Sequence, residues 1–352
     1  MPTPPLAEAT ITAREVAMNS ALPTPQPALK PMITTPIGSA RELPGPVANL
    51  TGVRQVAAGD LHSLALTSDG SVWAFGNNGA GQLGNGTLAS SYVPVQVPGL
   101  TGVTQIAAGG EFGLALRSDG TLWAWGRNGT GQLGNGTTND SFVPVQVSGL
   151  SRVTQIAAGW DFAMAAATRG FVTTLTSVWT WGDNDFGQLG DGALASRSTP
   201  GQVSGIDVPL IRGISAGYES SMVLGSDGSV WGWGGDSEGQ LGNAASKLLW
   251  VRPEETIGMD SGITQIAAGA FHVLALRSDG TVLAWGDNEA GEIGNGTRSE
   301  TTPSLPMEVT GLTGVTQVAA GFDTSLAVHN IPFIILPSTP PPTQISQGST
   351  RA

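Results

Sequence analysis

Short bursts of alternating hydrophobic and polar residues run along most of this chain, and the bursts return at a nearly constant interval. A strand-like run ending in small residues, typified by VTQIAAG, closes at Gly59, Gly109, Gly159, Gly217, Gly269 and Gly321, so the spacings are 50, 50, 58, 52 and 52 residues. Each is followed by an apolar stretch such as HSLAL, then in most copies Ser-Asp-Gly, then an aromatic stretch such as VWAFG or LWAWG. A glycine-rich segment comes next (NNGAGQLGNGT in the first copy), and a proline-marked run such as VPVQV ends the unit. Short alternating runs bounded by glycine predict strands, and Asp-Gly between the second and third predicts a hairpin turn. Four short strands recurring every fifty or so residues predict the blades of a β-propeller.

Five complete units run from Val53 to about Thr310, and half a unit follows at Val315 to Val328. An unpaired sheet edge invites aggregation, so something should complete the half blade. Two segments are candidates: Ile331 to Leu336 (IPFIIL) falls where the aromatic strand would come, and Gly45 to Leu50 (GPVANL) resembles the proline-marked one. The expected architecture is therefore all-β, a single propeller of five four-stranded blades plus a composite sixth closed by both ends. The propeller should span residues 46–336, between a Pro/Thr-rich flexible arm at 1–45 and a disordered tail at 337–352. Unit three carries a longer hairpin, Thr168 to Thr176, on the opposite face from the first turns.

Trp73, Trp123, Trp125, Trp179, Trp181, Trp231, Trp233 and Trp285 all fall in the aromatic strand. Residues two apart project from one strand face, so Trp123 and Trp125 should oppose Leu122 and Ala124. A large face meeting a small face lets adjacent blades nest. The segments Gly79–Gly84 and Gly129–Gly134 satisfy G-x-G-x-x-G, but they sit between two strands and recur, which makes them turns rather than dinucleotide sites. The acidic stretch Asp183, Asp185 and Asp191 has the oxygen density of a calcium loop, yet the matching loops read NNGAG and RNGTG. It reads as a solvated turn, and no metal or other cofactor is expected.

Composition narrows the chemistry. Of 352 residues 51 are glycine, 12% are charged, and the formal net charge is −12, which argues against a phosphate backbone as partner. There are no cysteines for disulfides or thiolate sites. Three histidines are too few for most catalysis, and His62 and His272 share a position that elsewhere holds Phe112, Phe162, Ser220 and Thr324, so it is a packing or hydrogen-bonding position. No Ser-His-Asp or paired-carboxylate set stands out, and no enzyme activity is expected. No run is long enough to span a membrane, and no signal peptide is read at the N-terminus, so a monomeric, soluble protein, cytoplasmic rather than exported, is expected.

What remains lies just after each small-residue triplet. The first residues there are Asp60, Gly110, Trp160, Tyr218, Ala270 and Phe322, and the next are Leu61, Glu111, Asp161, Glu219, Phe271 and Asp323. These are turns between first and second strands, so all six should open on one end of the ring. Large aromatics beside acids suit a protein-binding surface, with Trp160, Tyr218 and Phe322 as anchors and Glu111, Asp161, Glu219 and Asp323 as steering charges. The partner is expected to be a protein, basic in character, and neither a nucleic acid nor a membrane.

VTQIAAG, LALRSDGT, LWAWG and GQLGNGT in this order resemble the repeat of the RCC1 (regulator of chromosome condensation) family over about residues 46–330. The resemblance implies a β-propeller, most often of seven blades, that presents loops to proteins. It also implies two alternatives to a plain scaffold: guanine-nucleotide exchange on a small GTPase, and inhibition of an enzyme such as a β-lactamase by a secreted propeller. The family's ultraviolet-photoreceptor branch follows Gly-Trp with Arg-His-Thr, whereas here Gly159-Trp160 is followed by Asp161, Phe162 and Ala163.

Overall fold

The computed structural model describes residues 47, 50–168, 176–206, 208, 210–244, 247–259, 262–298 and 303–329. The repeat unit folds as a four-stranded antiparallel sheet with its strands in chain order, five times over, and a two-stranded sheet follows. In blade one the strands are Val53–Ala58, His62–Thr67, Val72–Gly76 and Ser91–Gln96. The inner strands of the next four blades are Val103–Ala108, Val153–Ala158, Ile211–Ala216 and Ile263–Ala268. Blade six consists of Val315–Ala320 and Ser325–His329.

Local chemistry fixes each hairpin. At the Ser-Asp-Gly turn Gly70 has φ +83°, a conformation costly for any residue with a Cβ, and the Asp69 carboxylate accepts from the Thr67 hydroxyl at 2.6 Å and the Ser71 N–H at 3.0 Å. Asp119, Asp227 and Asp279 repeat part of this arrangement in blades two, four and five. The glycine-rich loop is pinned from within. Asn78 accepts from the Leu83 N–H at 2.9 Å and donates to the carbonyls of Thr87 and Ala89 at 2.8 and 3.0 Å. In blade four the same place is held by Asp236, which accepts from Leu241 N–H at 3.0 Å and the Trp250 indole at 3.2 Å, and whose carboxyl burial pushes up to about 6.

Blades nest as large face on small face. Val72 and Ala74 of blade one pack against the Trp125 and Trp123 rings of blade two, and Leu122 and Ala124 receive Trp181 and Trp179 in turn. The two tryptophans of a strand are not equivalent: Trp125, Trp181, Trp233 and Trp285 are fully buried, while Trp73, Trp123, Trp179 and Trp231 are half-buried. Burying each inner ring contributes about 2–3 kcal/mol. The GQLG motif is the seat for that ring. Trp125 donates its indole N–H to the Gln82 carbonyl at 2.9 Å, and a Cβ on Gly84 would lie 2.7 Å from the ring. Trp181, Trp233 and Trp285 bond Gln132, Gln188 and Gln240 in the same way.

Nearer the axis, the glutamine of VTQIAAG bridges inner strands. Gln55 donates to the Ile106 carbonyl at 3.0 Å and accepts from its N–H at 2.9 Å, and Gln265 does the same to Val318. In blade six Val315, Val318 and Ala320 pack onto blade five. There the Ser325 hydroxyl donates at 2.6 Å to the Glu292 carbonyl, the group that takes the indole in earlier blades.

Several expectations fall beyond the described residues: the arm at 1–45, the tail at 337–352, Ile331–Leu336, and residues 169–175 of the long hairpin. Of the segment 45–50, Val47 and Leu50 are described, and Val47 packs against Ala58 and Phe75. Among the described residues no helix is long and apolar enough to cross a membrane.

Candidate functional site

The first turns are built from backbone. Gly59 N–H closes its own turn onto the His62 carbonyl at 2.9 Å, and the next residue reaches sideways, Asp60 N–H to the Gly110 carbonyl at 3.1 Å. The sideways bond repeats from Gly110 to Trp160 at 2.9 Å, Trp160 to Tyr218 at 3.4 Å, Tyr218 to Ala270 at 3.2 Å and Ala270 to Phe322 at 3.2 Å. Five such links join the six turns into a belt. The belt demands glycine one residue earlier, because a Cβ on Gly59 would stand 2.4 Å from the Gly109 carbonyl and one on Gly269 2.5 Å from that of Gly321. All six turns therefore open on one end of the ring, and together they line a cavity of about 60 Å³.

Into this mouth project the aromatics singled out from the sequence. Trp160 and Tyr218 have ring centroids 4.7 Å apart at 32°, and Phe322 meets them edge-on at 6.1 and 5.8 Å. Trp160 and Tyr218 are half-buried and Phe322 is 41% exposed. A fourth ring, Phe271, lies 5.5 Å from Tyr218 and 6.4 Å from Phe322. Sequence reasoning left Phe271 out of the anchor set because blade five puts Ala270 in the first slot and its aromatic one residue later. Scanning both slots of each turn for aromatics would have found it.

The acids divide. Glu111 forms an exposed ion pair with Arg127 at 3.1 Å. Asp161 is half-buried and accepts from the Gln132 amide at 2.8 Å, and burial pushes its carboxyl up against the pull of Arg127. Glu219 is half-buried against Gly235, and burial followed by repulsion from Asp183 pushes it up to about 7. Asp323 is exposed on the sixth turn. The Tyr218 phenol is pushed up by burial and then by the negative charges of Glu219, Asp161, Asp60 and Asp183. The glycine-rich loops reach the same face, as Thr130 donates to the Asp161 carbonyl at 3.1 Å and Gly235 N–H to that of Glu219 at 2.8 Å.

The calcium-like stretch is engaged internally. Asp191 pairs with Arg197 and accepts from Ala193 N–H at 2.9 Å, while Asp183 accepts from Gln188 at 2.8 Å and Ser196 at 3.3 Å. His62 and His272 sit against the turn glycines, each 1% exposed, and burial pushes both down to about 4, so both imidazoles are neutral. His272 shares a contact of 3.0 Å between its Nε2 and the Ser325 hydroxyl.

The model of the RCC1-like domain family matches residues 29–331. The chain belongs to that family. Among RCC1-like relatives, human E3 ubiquitin-protein ligase HERC2 is 37% identical over 153 residues, 43% of this chain and 3% of HERC2. The ultraviolet-B receptor UVR8 of Arabidopsis thaliana is 34% identical over 256 residues, 72% of this chain and 58% of the receptor. This chain thus spans a small part of HERC2 and rather more than half of UVR8. Human WBSCR16 superposes with a TM-score of 0.71 at 27% identity, covering 81% of this chain and 75% of that one. Yeast RCC1 (Prp20), solved with Kap60 bound, gives 0.67 at 25%, covering 79% and 68%. The family and its propeller fold are therefore established, and the repeat motifs read from the sequence are RCC1 repeats.

Proposed function

We propose that this RCC1-like propeller is a non-catalytic scaffold that binds a protein partner through its first-turn face. Trp160, Tyr218 and Phe322 serve as anchors, and Asp161, Glu219 and Asp323 steer a basic partner, with Glu111 held back by Arg127. The observation that carries this reading is the meeting of rings from three separate blades, within 6.1 Å of one another, at a half-open mouth. Blade packing does not need them, since the nesting tryptophans already fill the space between sheets. Partially exposed aromatics rimmed by charge are what binding hot spots are made of. Yeast RCC1 bound to Kap60 is a relative engaged with another protein.

Cross-linked capture from native host extract tests the reading. The wild-type chain and Gln96→Ala, an exposed outer-strand control, should retain the same partner, while Trp160→Ala and Phe322→Ala lose it although both still melt cooperatively well above the assay temperature. Unchanged capture by both face variants would overturn the proposal. Adding the preparations to a small GTPase loaded with fluorescent nucleotide separates simple binding from exchange, which alone would speed nucleotide release.

A further inference from the structure

The cavity at the centre of the belt has a composition of its own. Aromatic rings from blades three, four and six line it, with small residues between them: Ala58, Gly59 and Gly110 on blades one and two, and Ala270 on blade five between Tyr218 and Phe322. Among the described residues lining it, the one charged side chain is that of Asp60. Its volume of about 60 Å³ is far below the ~300–1,000 Å³ of pockets that enclose whole small molecules, so it suits a single inserted group.

Electrostatics selects the sign of that group. Ring faces are negative, and a cation held against several of them is attracted, the more so once desolvated. Asp60 lines the cavity itself, and Asp161, Asp183 and a Glu219 only partly ionised near neutral pH act on Tyr218 beside it, so the mouth is negative on a chain of net charge −12. Shape selects further. The rings meet at 32°, 67° and 89° with centroids 4.7, 6.1 and 5.8 Å apart, so they present differently oriented faces and edges to the cavity and offer no pair of parallel faces. A flat guanidinium wants such a slot, whereas an ammonium is a compact charge on a slim apolar stem. The glycines and alanines of the lining leave room for that stem.

We propose that the central cavity of the first-turn face is a receptor for one alkylammonium group, the tip of a lysine side chain, methylated or not, presented by a basic partner protein. The source of the lysine rests on the scaffold reading above; the ligand chemistry does not. The probes are Nα-acetyl-lysine methylamide, its Nε-trimethyl form, the neutral carbon isostere of that form, and the arginine counterpart. Each is titrated into the full chain and followed by NMR of the tryptophan indole N–H groups, with the Trp160 signal assigned from Trp160→Phe. Both ammonium probes should saturate the Trp160 signal, and the neutral isostere should bind at least about tenfold more weakly than the trimethyl form. Trp160→Ala and Phe322→Ala should abolish binding, Phe322→Tyr should keep it, and Asp60→Asn should weaken it about threefold with melting unchanged.

Equal binding of the neutral isostere, tighter binding of arginine, or no saturation by either ammonium would each overturn the proposal. Partner capture lost in Trp160→Ala while no ammonium binds would leave the scaffold and remove the receptor. Ammonium binding with capture unaffected would keep the receptor and remove the scaffold face.

Discussion

His62 opens the second strand of blade one, in the seat that Phe112 and Phe162 fill in blades two and three. The seats are alike: a Cβ on the turn glycine would meet the ring at 2.3 Å for His62 and at 2.0 Å for both Phe112 and Phe162. His62 is 1% exposed, and neither ring nitrogen has a hydrogen-bond partner among the described residues. His62→Phe therefore puts a proven shape where a polar one is poorly matched. Leaving a buried polar atom unpaired costs about 1–3 kcal/mol, so the variant should gain roughly 1–2 kcal/mol near pH 8 after allowance for imperfect repacking. Acid widens the gap. Burial holds the folded pKa at about 4 against 6.5, so below 6.5 the unfolded chain binds a proton that the folded one refuses. The stability tied to the neutral ring is present above 6.5 and is lost as pH falls toward 4, which at about 1.4 kcal/mol per pH unit removes roughly 2–3 kcal/mol by about pH 4.5. Urea unfolding of wild type and variant at about pH 8 and pH 4.5, extrapolated to water, measures both quantities. The carboxylates titrate in both proteins and cancel in the difference. A gap that does not widen in acid, or a variant less stable at pH 8, would refute the reasoning.

Other outcomes follow from individual residues. Glu219 behaves oppositely to His62: its folded pKa of about 7 exceeds 4.5, so its contribution is complete below 4.5 and is lost as pH rises through 7. Partly exposed as it is, the loss should be about 1–2 kcal/mol, and thermal melts between about pH 5 and 8 should show Glu219→Gln flattening the decline. Arg152 has φ +58° where other blades place Gly52, Gly102, Gly262 and Gly314 at positive φ; Arg152→Gly should raise the urea midpoint by about 0.5–1 kcal/mol of stability. Gly134→Ala puts a Cβ 2.7 Å from the Trp181 indole at φ +64° and should cost about 2–3 kcal/mol by the same assay. Among the described residues Ser325–His329 pairs with the inner strand of blade six and with no third strand, and Ile331–Leu336 is the segment patterned to supply one. Deleting 331–352 should lower the melting temperature by several degrees, and an unchanged melt would remove the composite blade.

Much of this architecture was legible because the chain repeats its own experiment. Trp123 and Trp125 alternate with Leu122 and Ala124, and the same alternation in the neighbouring copies left little doubt about strands and nesting. The position shared by His62 and Phe112 marked itself as structural, for packing or hydrogen bonding, by tolerating both: His62 packs without a polar partner among the described residues, and His272 meets the Ser325 hydroxyl. What stayed hidden is contact between copies. Nothing local to Gln55 says that its amide clasps Ile106 in the next blade, and nothing local to Gly84 says that Trp125 lies across it. The inequivalence of Trp123 and Trp125 is likewise a matter of depth in the ring. At the candidate site, the convergence of Trp160, Tyr218 and Phe322 was expected from topology, whereas Phe271 escaped through a one-residue offset. The division of the acids between Arg127-bound Glu111 and half-buried Glu219 needed the folded geometry.

The belt of turn-to-turn bonds uses main-chain atoms alone, so it fixes six positions without fixing what stands on them. Those positions act as interchangeable slots around an axis, and here they are filled unevenly, with rings at Trp160, Tyr218 and Phe322 and small or acidic residues at Gly110, Ala270 and Asp60. A ring of identical turns would accept a partner in any of several rotations. This filling removes that degeneracy: it keys the docking angle of whatever inserts, and a change in one slot could turn the partner without disturbing the barrel of sheets beneath.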